Sequence, residues 1–152
     1  MKYSYQYDSP IGRIYIAESD GFITDVAFRP VDGTQKKETP LIAQAINMLR
    51  EYFDGSRKDF DLPLNPIGTQ FQKKAWDALL AIPYGQTRSY KEQAEAAGNV
   101  KACRAVGAAN GKNPISIIIP CHRVIGSNKK LVGYGGGLGV KQALLNLEAQ
   151  HV

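Results

Sequence analysis

Ser89-Tyr90-Lys91-Glu92-Gln93-Ala94-Glu95-Ala96-Ala97-Gly98-Asn99, with Lys101-Ala102-Cys103-Arg104-Ala105-Val106-Gly107-Ala108-Ala109-Asn110 close behind it, reads as two short helices joined by a tight glycine turn. Ser89 and Glu92 have the spacing of a capping box, in which hydroxyl and carboxylate satisfy reciprocal backbone donors, so a helix opens there. Gly98 closes it, and Asn99 is placed to cap a second helix running to about Asn110. The pattern is a helix-turn-helix. Ala94 precedes Gly98 by the expected four residues, whereas polar Gln93 stands where an apolar neighbour is usual.

The second helix is made almost wholly of small side chains. Gly107 costs helix stability relative to alanine, which makes sense if a partner's backbone comes close, and equally if the helix packs tightly inside the protein. Arg104 is the one long cation in its middle and could pair with a carboxylate or insert between stacked bases. Cys103 reads as packing. Upstream, Thr69-Gln70-Phe71-Gln72 is a second capping box. It opens a helix with an apolar face of Phe71, Ala75, Trp76 and Leu79, which Pro83-Tyr84-Gly85 ends.

Downstream, Ile117-Ile118-Ile119 predicts a buried strand that Pro120 ends, leaving Cys121 at the strand's end with His122 beside it. Neighbouring side chains on an extended segment diverge, so thiol and imidazole would communicate through a water or a bend. A buried structural cysteine beside a surface histidine is the plainer reading. Gly126-Ser127-Asn128-Lys129-Lys130 reads as a turn. Val132-Gly133-Tyr134-Gly135-Gly136-Gly137 reads as a mobile close-approach loop without the ending of a P-loop. A last helix, Leu138 to Gln150, would bury Val140, Leu144 and Leu147. Glu148 falls on that same face, so a carboxylate there needs a partner unless the helix end frays into solvent. His122 and Arg123 are the candidates. A Glu148–His122 pair would fix the imidazole tautomer and let it hold positive charge, and Cys121, His122 and Glu148 would form a relay that raises the thiolate fraction.

The N-terminal half is different. Residues 2–7, 13–18 and 22–28 alternate or run apolar, broken by Ser9-Pro10-Ile11-Gly12 and Ser19-Asp20-Gly21, which predicts an antiparallel meander. Thr39-Pro40 opens a helix with Leu41, Ile42, Ala45, Ile46, Leu49, Tyr52 and Phe53 at helical spacing, and Gly55 stops it. Asp59 to Leu64 could add an edge strand before Pro63, Pro66 and Gly68 mark a linker. The expected domains are 1–66 and 67–152, together an α+β protein. Residues 1–66 carry eight Lys/Arg against ten Asp/Glu, and 67–152 carry eleven against four, giving −2 and +7. The basic second half suits a polyanion such as nucleic acid, or simply a solvated basic surface. The first half has no Cys or His, so no thiol or metal site can be built there. Cys103, Cys121, His122 and His151 have no metal-site spacing. No apolar run nears the roughly 20 residues of a membrane span, and the N-terminus lacks a signal peptide's apolar core. The expectation is a cytoplasmic protein with no membrane contact and no disulfide.

Pro120-Cys121-His122-Arg123-Val124, with Gly111-Lys112-Asn113-Pro114 before it and Tyr134-Gly135-Gly136-Gly137-Leu138 and Glu148 after it, resembles the O6-alkylguanine-DNA alkyltransferases. The likeness covers about residues 67–149, and Ser9-Pro10-Ile11-Gly12 resembles the family's leading domain. The resemblance implies a ribonuclease H-like sheet with a helix, then a mostly helical, winged-helix-like domain. It implies that Cys121 accepts the alkyl group irreversibly from O6 of guanine, possibly also O4 of thymine, in double-stranded DNA. His122 would take the thiol proton through a water, with Glu148 orienting it and Asn113 bracing the site. Arg104 would fill the gap left by the flipped nucleotide, and Ala105, Ala108 and Ala109 would face the minor groove. Tyr90 would meet the rotated phosphate and the base. Tyr134, Gly135, Val124 and Lys141 would complete the substrate pocket, with the carbonyls of Cys121 and Val124 reading the guanine amino group. Gly135 departs from relatives with serine there, so a hydrogen bond to O6 would come from backbone N–H. The resemblance implies no cofactor, no metal and a monomer. A damage-binding module without transfer, and a cysteine hydrolase with turnover, are the rival classes.

Overall fold

A computed structural model describes residues 1–126 and 133–152. Contacts divide the chain into two compact units. One is Met1–Ile67 with Pro114–Ile118, and the other is Gly68–Asn113 with Ile119–Val152. The division at residue 66 expected from the linker gave no hint that Pro114–Ile118 packs with the first unit.

In the first unit, β1 (Lys2–Ser9), β2 (Gly12–Ser19), β3 (Phe22–Ala27) and β4 (Gln35–Lys36) form one sheet in the order β3-β2-β1-β4. The meander is antiparallel, and β4, which the sequence reading missed, pairs parallel to β1. Asp20 and Gly21 both have positive φ (53° and 82°), the conformation a two-residue hairpin turn demands. Helix α1 (Pro40–Phe53) starts where the Thr39 hydroxyl accepts the Ile42 N–H at 3.2 Å, and it buries Ile42, Ala45, Ile46, Leu49 and Tyr52. The edge strand expected at 59–64 is a single bridge of Leu64 to Ile23. Prolines at 63 and 66 remove the donors a longer ladder needs. Ile115 bridges Val26 in the same way, with Val26 N–H donating to Pro114 O and Ser116 N–H to Val26 O, both at 2.9 Å.

The second unit contains α2 (Gln70–Leu80), β5 (Arg88–Ser89), α3 (Tyr90–Ala96), α4 (Cys103–Gly111), a 3-10 turn (Cys121–Arg123), β6 (Val124–Ile125) and α5 (Leu138–Gln150). Both capping boxes form, at Thr69/Gln72 and Ser89/Glu92. Gly98 has φ +96° and ends α3 as expected. Asn99 does not cap α4: its side chain accepts from Lys101 N–H, and α4 begins at Cys103 without a side-chain cap. The intervening residues spend their donors on the turn, as Ala102 N–H to Asn99 O shows. Ala75, Ala94, Val106 and Ala109 form the joint of α2, α3 and α4. Short side chains let the helices approach, and Trp76 beside them donates its indole N–H to Ala109 O at 2.9 Å. Helix α5 buries Lys141, Leu144 and Glu148, while Val140 and Leu147 are only half-buried. The apolar period misjudged this face because two of its innermost residues are charged. Among the described residues no helix is long and apolar enough to cross a membrane. The turn expected at 126–130 falls largely on 127–132, as does Val132, and so lies outside the described residues.

Gly68 packs against the Trp76 ring so closely that an added Cβ would lie 2.7 Å from Cζ3. Gly68→Ala therefore forces the buried indole off its Ala109 hydrogen bond and should cost about 1–3 kcal/mol, read as a lowered urea midpoint. An unchanged midpoint would show that the ring can yield.

Candidate active site

The chain from Asn113 to Val124 does not run as a strand. Ile118 N–H donates to Ser116 O and Cys121 N–H to Ile119 O, both at 2.8 Å, and Arg123 N–H donates to Pro120 O at 3.0 Å. Ile117 has φ +71°, a left-handed conformation that is costly for a β-branched residue. All three isoleucines are buried as expected, so burial was read correctly and extension was not. Apolar β-branched runs satisfy either shape when the environment is apolar on every side. The folded-back segment delivers Cys121, His122 and Arg123 on one 3-10 turn.

Glu148, 1 % exposed, receives this turn. His122 Nε2 lies 2.6 Å from Oε2, and Arg123 grips the carboxylate with two donors, Nε to Oε1 at 2.8 Å and Nη2 to Oε2 at 3.1 Å. Gly85 N–H adds a fourth donor to Oε1 at 3.0 Å. Arg123 also donates from Nη1 to Ile82 O at 2.8 Å. Burial works to raise the Glu148 pKa, but the hydrogen bonds and charges of His122 and Arg123 overcome it and hold the carboxyl at about 2. The carboxylate is thus already neutralised by Arg123. His122 is fully buried, and burial lowers its pKa despite Glu148, so the imidazole is neutral rather than positively charged as the sequence suggested. Because Nε2 meets a carboxylate, it carries the proton, and the buried Nδ1, which has no hydrogen-bond partner among the described residues, is left as an acceptor.

Cys121 is a free thiol that borders a cavity of about 240 Å³. Tyr90 of α3, Gly107, Asn110 and Gly111 of α4, and Gly133, Tyr134 and Gly135 form the rest of its described wall. Burial pushes the thiol pKa up, and the Asn113 hydrogen bond and the Lys141 ammonium offset this only in part, so the resting group is the thiol, whereas the relay expected from the sequence would raise the thiolate fraction. Asn113 is held by donating from Nδ2 to Ile119 O at 2.9 Å. Lys141 is fully buried and donates to Val124 O at 2.7 Å. Neither Val124 nor Lys141 is among the described residues that line the cavity, and the Val124 carbonyl already carries one hydrogen bond.

On α4, Arg104, Ala105 and Ala108 are exposed. Ala109 is not part of that face, contrary to expectation: it is 3 % exposed and belongs to the core with Val106. Residues 105 and 108 fall on one side of a helix and 109 on the next, which small uniform side chains conceal. Inside the protein Gly107 is not a point of close backbone packing. A Cβ there would meet the Tyr90 ring at an ordinary 3.7 Å, and the glycine instead widens the cavity. Gly107, Asn110 and Gly111 were missed as pocket residues. The available signal was Gln93, whose polar side chain on an apolar face required a buried partner, and Asn110 supplies it. Among the described residues no cluster of His, Cys, Asp or Glu could hold a metal ion.

Comparison with known proteins gives one answer for both units. Residues 1–66 match the 6-O-methylguanine DNA methyltransferase ribonuclease-like domain, and residues 70–150 match the DNA binding domain of the same family. The methylated-DNA–protein-cysteine methyltransferase of Methanosarcina acetivorans is 49% identical over 93% of this chain and 95% of its own. The constitutive enzyme of Bacillus subtilis is 46% identical over 97% and 96%. The crystal structure of Mycobacterium tuberculosis OGT in complex with DNA superposes with a TM-score of 0.92 at 44% identity, covering 99% of this chain and 94% of that one. On these matches, and with a buried Cys-His-Glu constellation beside a helix-turn-helix, the chain belongs to the 6-O-methylguanine DNA methyltransferase family.

Proposed function

We propose that this protein repairs duplex DNA by moving the alkyl group from O6 of a flipped-out guanine to the Sγ of Cys121, one group per molecule. The observation that carries the reading is that Cys121 opens on a cavity whose wall includes Tyr90 and two glycines of the second helix of the helix-turn-helix. A base reaches such a thiol only by leaving the stack. Arg104 is exposed and makes no ion pair among the described residues, which suits a side chain that occupies the vacated space. Ala105 and Ala108 beside it allow the helix to lie shallowly in the minor groove, and the +7 charge of residues 67–152 supplies phosphate contacts.

In the transfer, the C–O6 bond breaks as the S–C bond forms, and the electron pair remains on the base. The thiol gives up one proton and the restored guanine gains one, so the reaction is balanced without a cofactor. His122 Nδ1, an acceptor with no partner among the described residues, is the group suited to taking the thiol proton, through a water. Glu148 and Arg123 hold the imidazole in that tautomer. Lys141 lies close enough to Cys121 for its charge to favour the thiolate as it develops. Tyr90, Tyr134 and the glycines at 133 and 135 shape the pocket. An S-alkyl thioether is not cleaved by water under ordinary conditions, because the thiolate is a poor leaving group from an alkyl carbon, so the protein acts once. The monomer, the alkyl range and any repair of O4-alkylthymine belong to the same proposal.

With excess duplex containing O6-methylguanine, the intact mass should rise by one methylene and stop there, on the peptide holding Cys121. Cys121→Ser should bind the duplex like the parent and acquire no mass; transfer by that variant would overturn the acceptor assignment. A hydrolase would instead turn over and keep its free thiol.

The raised thiol pKa predicts slow modification by iodoacetamide. In a Cys103→Ser background the rate at Cys121 should keep rising past pH 8.5, the ordinary thiol midpoint. A plateau below pH 8 would mean that the resting group is a thiolate after all.

Stability should fall on acidification in two stages. His122 is depressed below 6.5, so below that pH the unfolded chain binds a proton that the folded chain refuses. Glu148 is depressed from 4.5 to about 2, so its contribution, on the order of 3 kcal/mol, is lost between those values. Denaturant titrations should show stability falling as the pH is lowered from 7 to 5. Glu148→Gln, which strands the Arg123 charge, should cost about 3–5 kcal/mol at pH 7. A flat profile from pH 7 to 5 would show that the imidazole is charged in the folded protein.

A further inference from the structure

Gln93 is 2 % exposed, and a buried amide must find partners for every group it carries. Its Nε2 donates to Ala75 O at 3.2 Å and to Asn110 Oδ1 at 2.7 Å, and its Oε1 accepts from Asn110 Nδ2 at 2.8 Å. The Ala75 carbonyl can only accept, so it decides which end of the Gln93 amide is nitrogen. The reciprocal pair then decides the same for Asn110. Both Gln93 N–H groups are consumed. Among the described residues Asn110 retains one N–H, and it is the only side-chain amide on the described wall of the cavity that holds Cys121.

We propose that Asn110 is a specificity-determining residue of this pocket, locked by Gln93 so that its remaining amide N–H donates to a ring nitrogen of the extruded purine. The inference rests on the reading of Cys121 as the acceptor of an alkyl group from guanine and extends it to how the base is seated. A purine against glycine and tyrosine walls loses water from its ring nitrogens, and each acceptor left unpaired weakens binding. A donor already fixed by a buried partner loses no rotamer freedom when the base arrives. The same amide offers nothing to an apolar ring edge, so it discriminates between bases as well as holding one.

The test is a cycle between protein and substrate. Single-turnover transfer is measured on duplexes carrying O6-methylguanine, its 3-deaza analogue and its 7-deaza analogue, each of which replaces one ring nitrogen by C–H. The wild type is compared with Gln93→Leu/Asn110→Leu, in which both partners become apolar and no buried amide is stranded. Asn110→Asp, which keeps an acceptor for Gln93 and has no N–H, serves as a second variant should the first not fold. The expected result is a loss of roughly three- to tenfold for the wild type on one analogue. The variants should show that loss already on O6-methylguanine, and no further loss on that analogue. Equal losses for wild type and variant on both analogues, or wild-type rates for the variants on the parent duplex, overturn the inference alone. A wild type that transfers nothing from the parent duplex overturns the acceptor reading beneath it.

Discussion

The second unit depends on one buried carboxylate. Glu148 projects from the core face of the last helix and accepts hydrogen bonds from His122, twice from Arg123 and from the Gly85 backbone. Those donors come from the 3-10 turn after Pro120 and from the turn after α2. Arg123 extends the tie to Ile82 O, two residues past the end of α2. One acceptor thus joins three segments distant in sequence. A buried ion pair seldom adds net stability over an apolar substitute, because desolvation consumes most of the attraction. What it supplies here is position: the imidazole has a single tautomer and a single orientation, and its free nitrogen is turned away from the carboxylate.

The pocket is made by the opposite device, the removal of side chains. Gly107 and Gly111 on α4, with Gly133 and Gly135, leave a cavity where ordinary residues would fill it. Helix α4 is costly as an isolated helix, with glycine inside it and no side-chain cap at its start. Tertiary contacts compensate: Val106 and Ala109 enter the alanine joint, and Trp76 bonds the Ala109 carbonyl. The Gln93–Asn110 pair adds a polar clasp between α3 and α4 at the cavity's rim. The helix is therefore rigid on its inner side and nearly bare on its outer side, a combination suited to lying against another surface.

Local rules in the sequence anticipated much of this. Thr69, Ser89 and Thr39 announced helix starts because each hydroxyl answers a need of its own backbone within three residues. Glycines 55 and 98 stop helices through positive φ, again a local matter. The partnership of Glu148 with His122 and Arg123 was legible because a carboxylate on a core-facing stripe cannot remain alone. Residues whose fate is decided by distant packing were not legible. Ile117 to Ile119 looked extended because β-branched residues prefer extension, yet the chain turns there and stores strain at Ile117. Ala109 looked like its neighbours at 105 and 108 because alanines do not advertise which side they face. Val140 and Leu147 were taken for core while Lys141, a charge, occupies it. Each miss has one cause: the sequence states chemical type, and burial of a charged or uniformly small residue depends on what the rest of the fold brings to it.

The protonation state of Cys121 follows from the same burial. A thiol exposed enough to ionise freely would be a good nucleophile toward any electrophile it met, and a protein that reacts once is spent by the first. Burial raises the cost of the thiolate, while Asn113 and Lys141 lower it again only in part. The neutral imidazole is held ready by groups that do not touch the thiol. Deprotonation is then favoured when a base seated in the pocket excludes water and offers the alkyl carbon, since removing water strengthens the pull of Lys141 on the forming anion. On the proposed reading the buried charges of the unit serve selectivity in time: the acceptor reacts slowly until the pocket is filled.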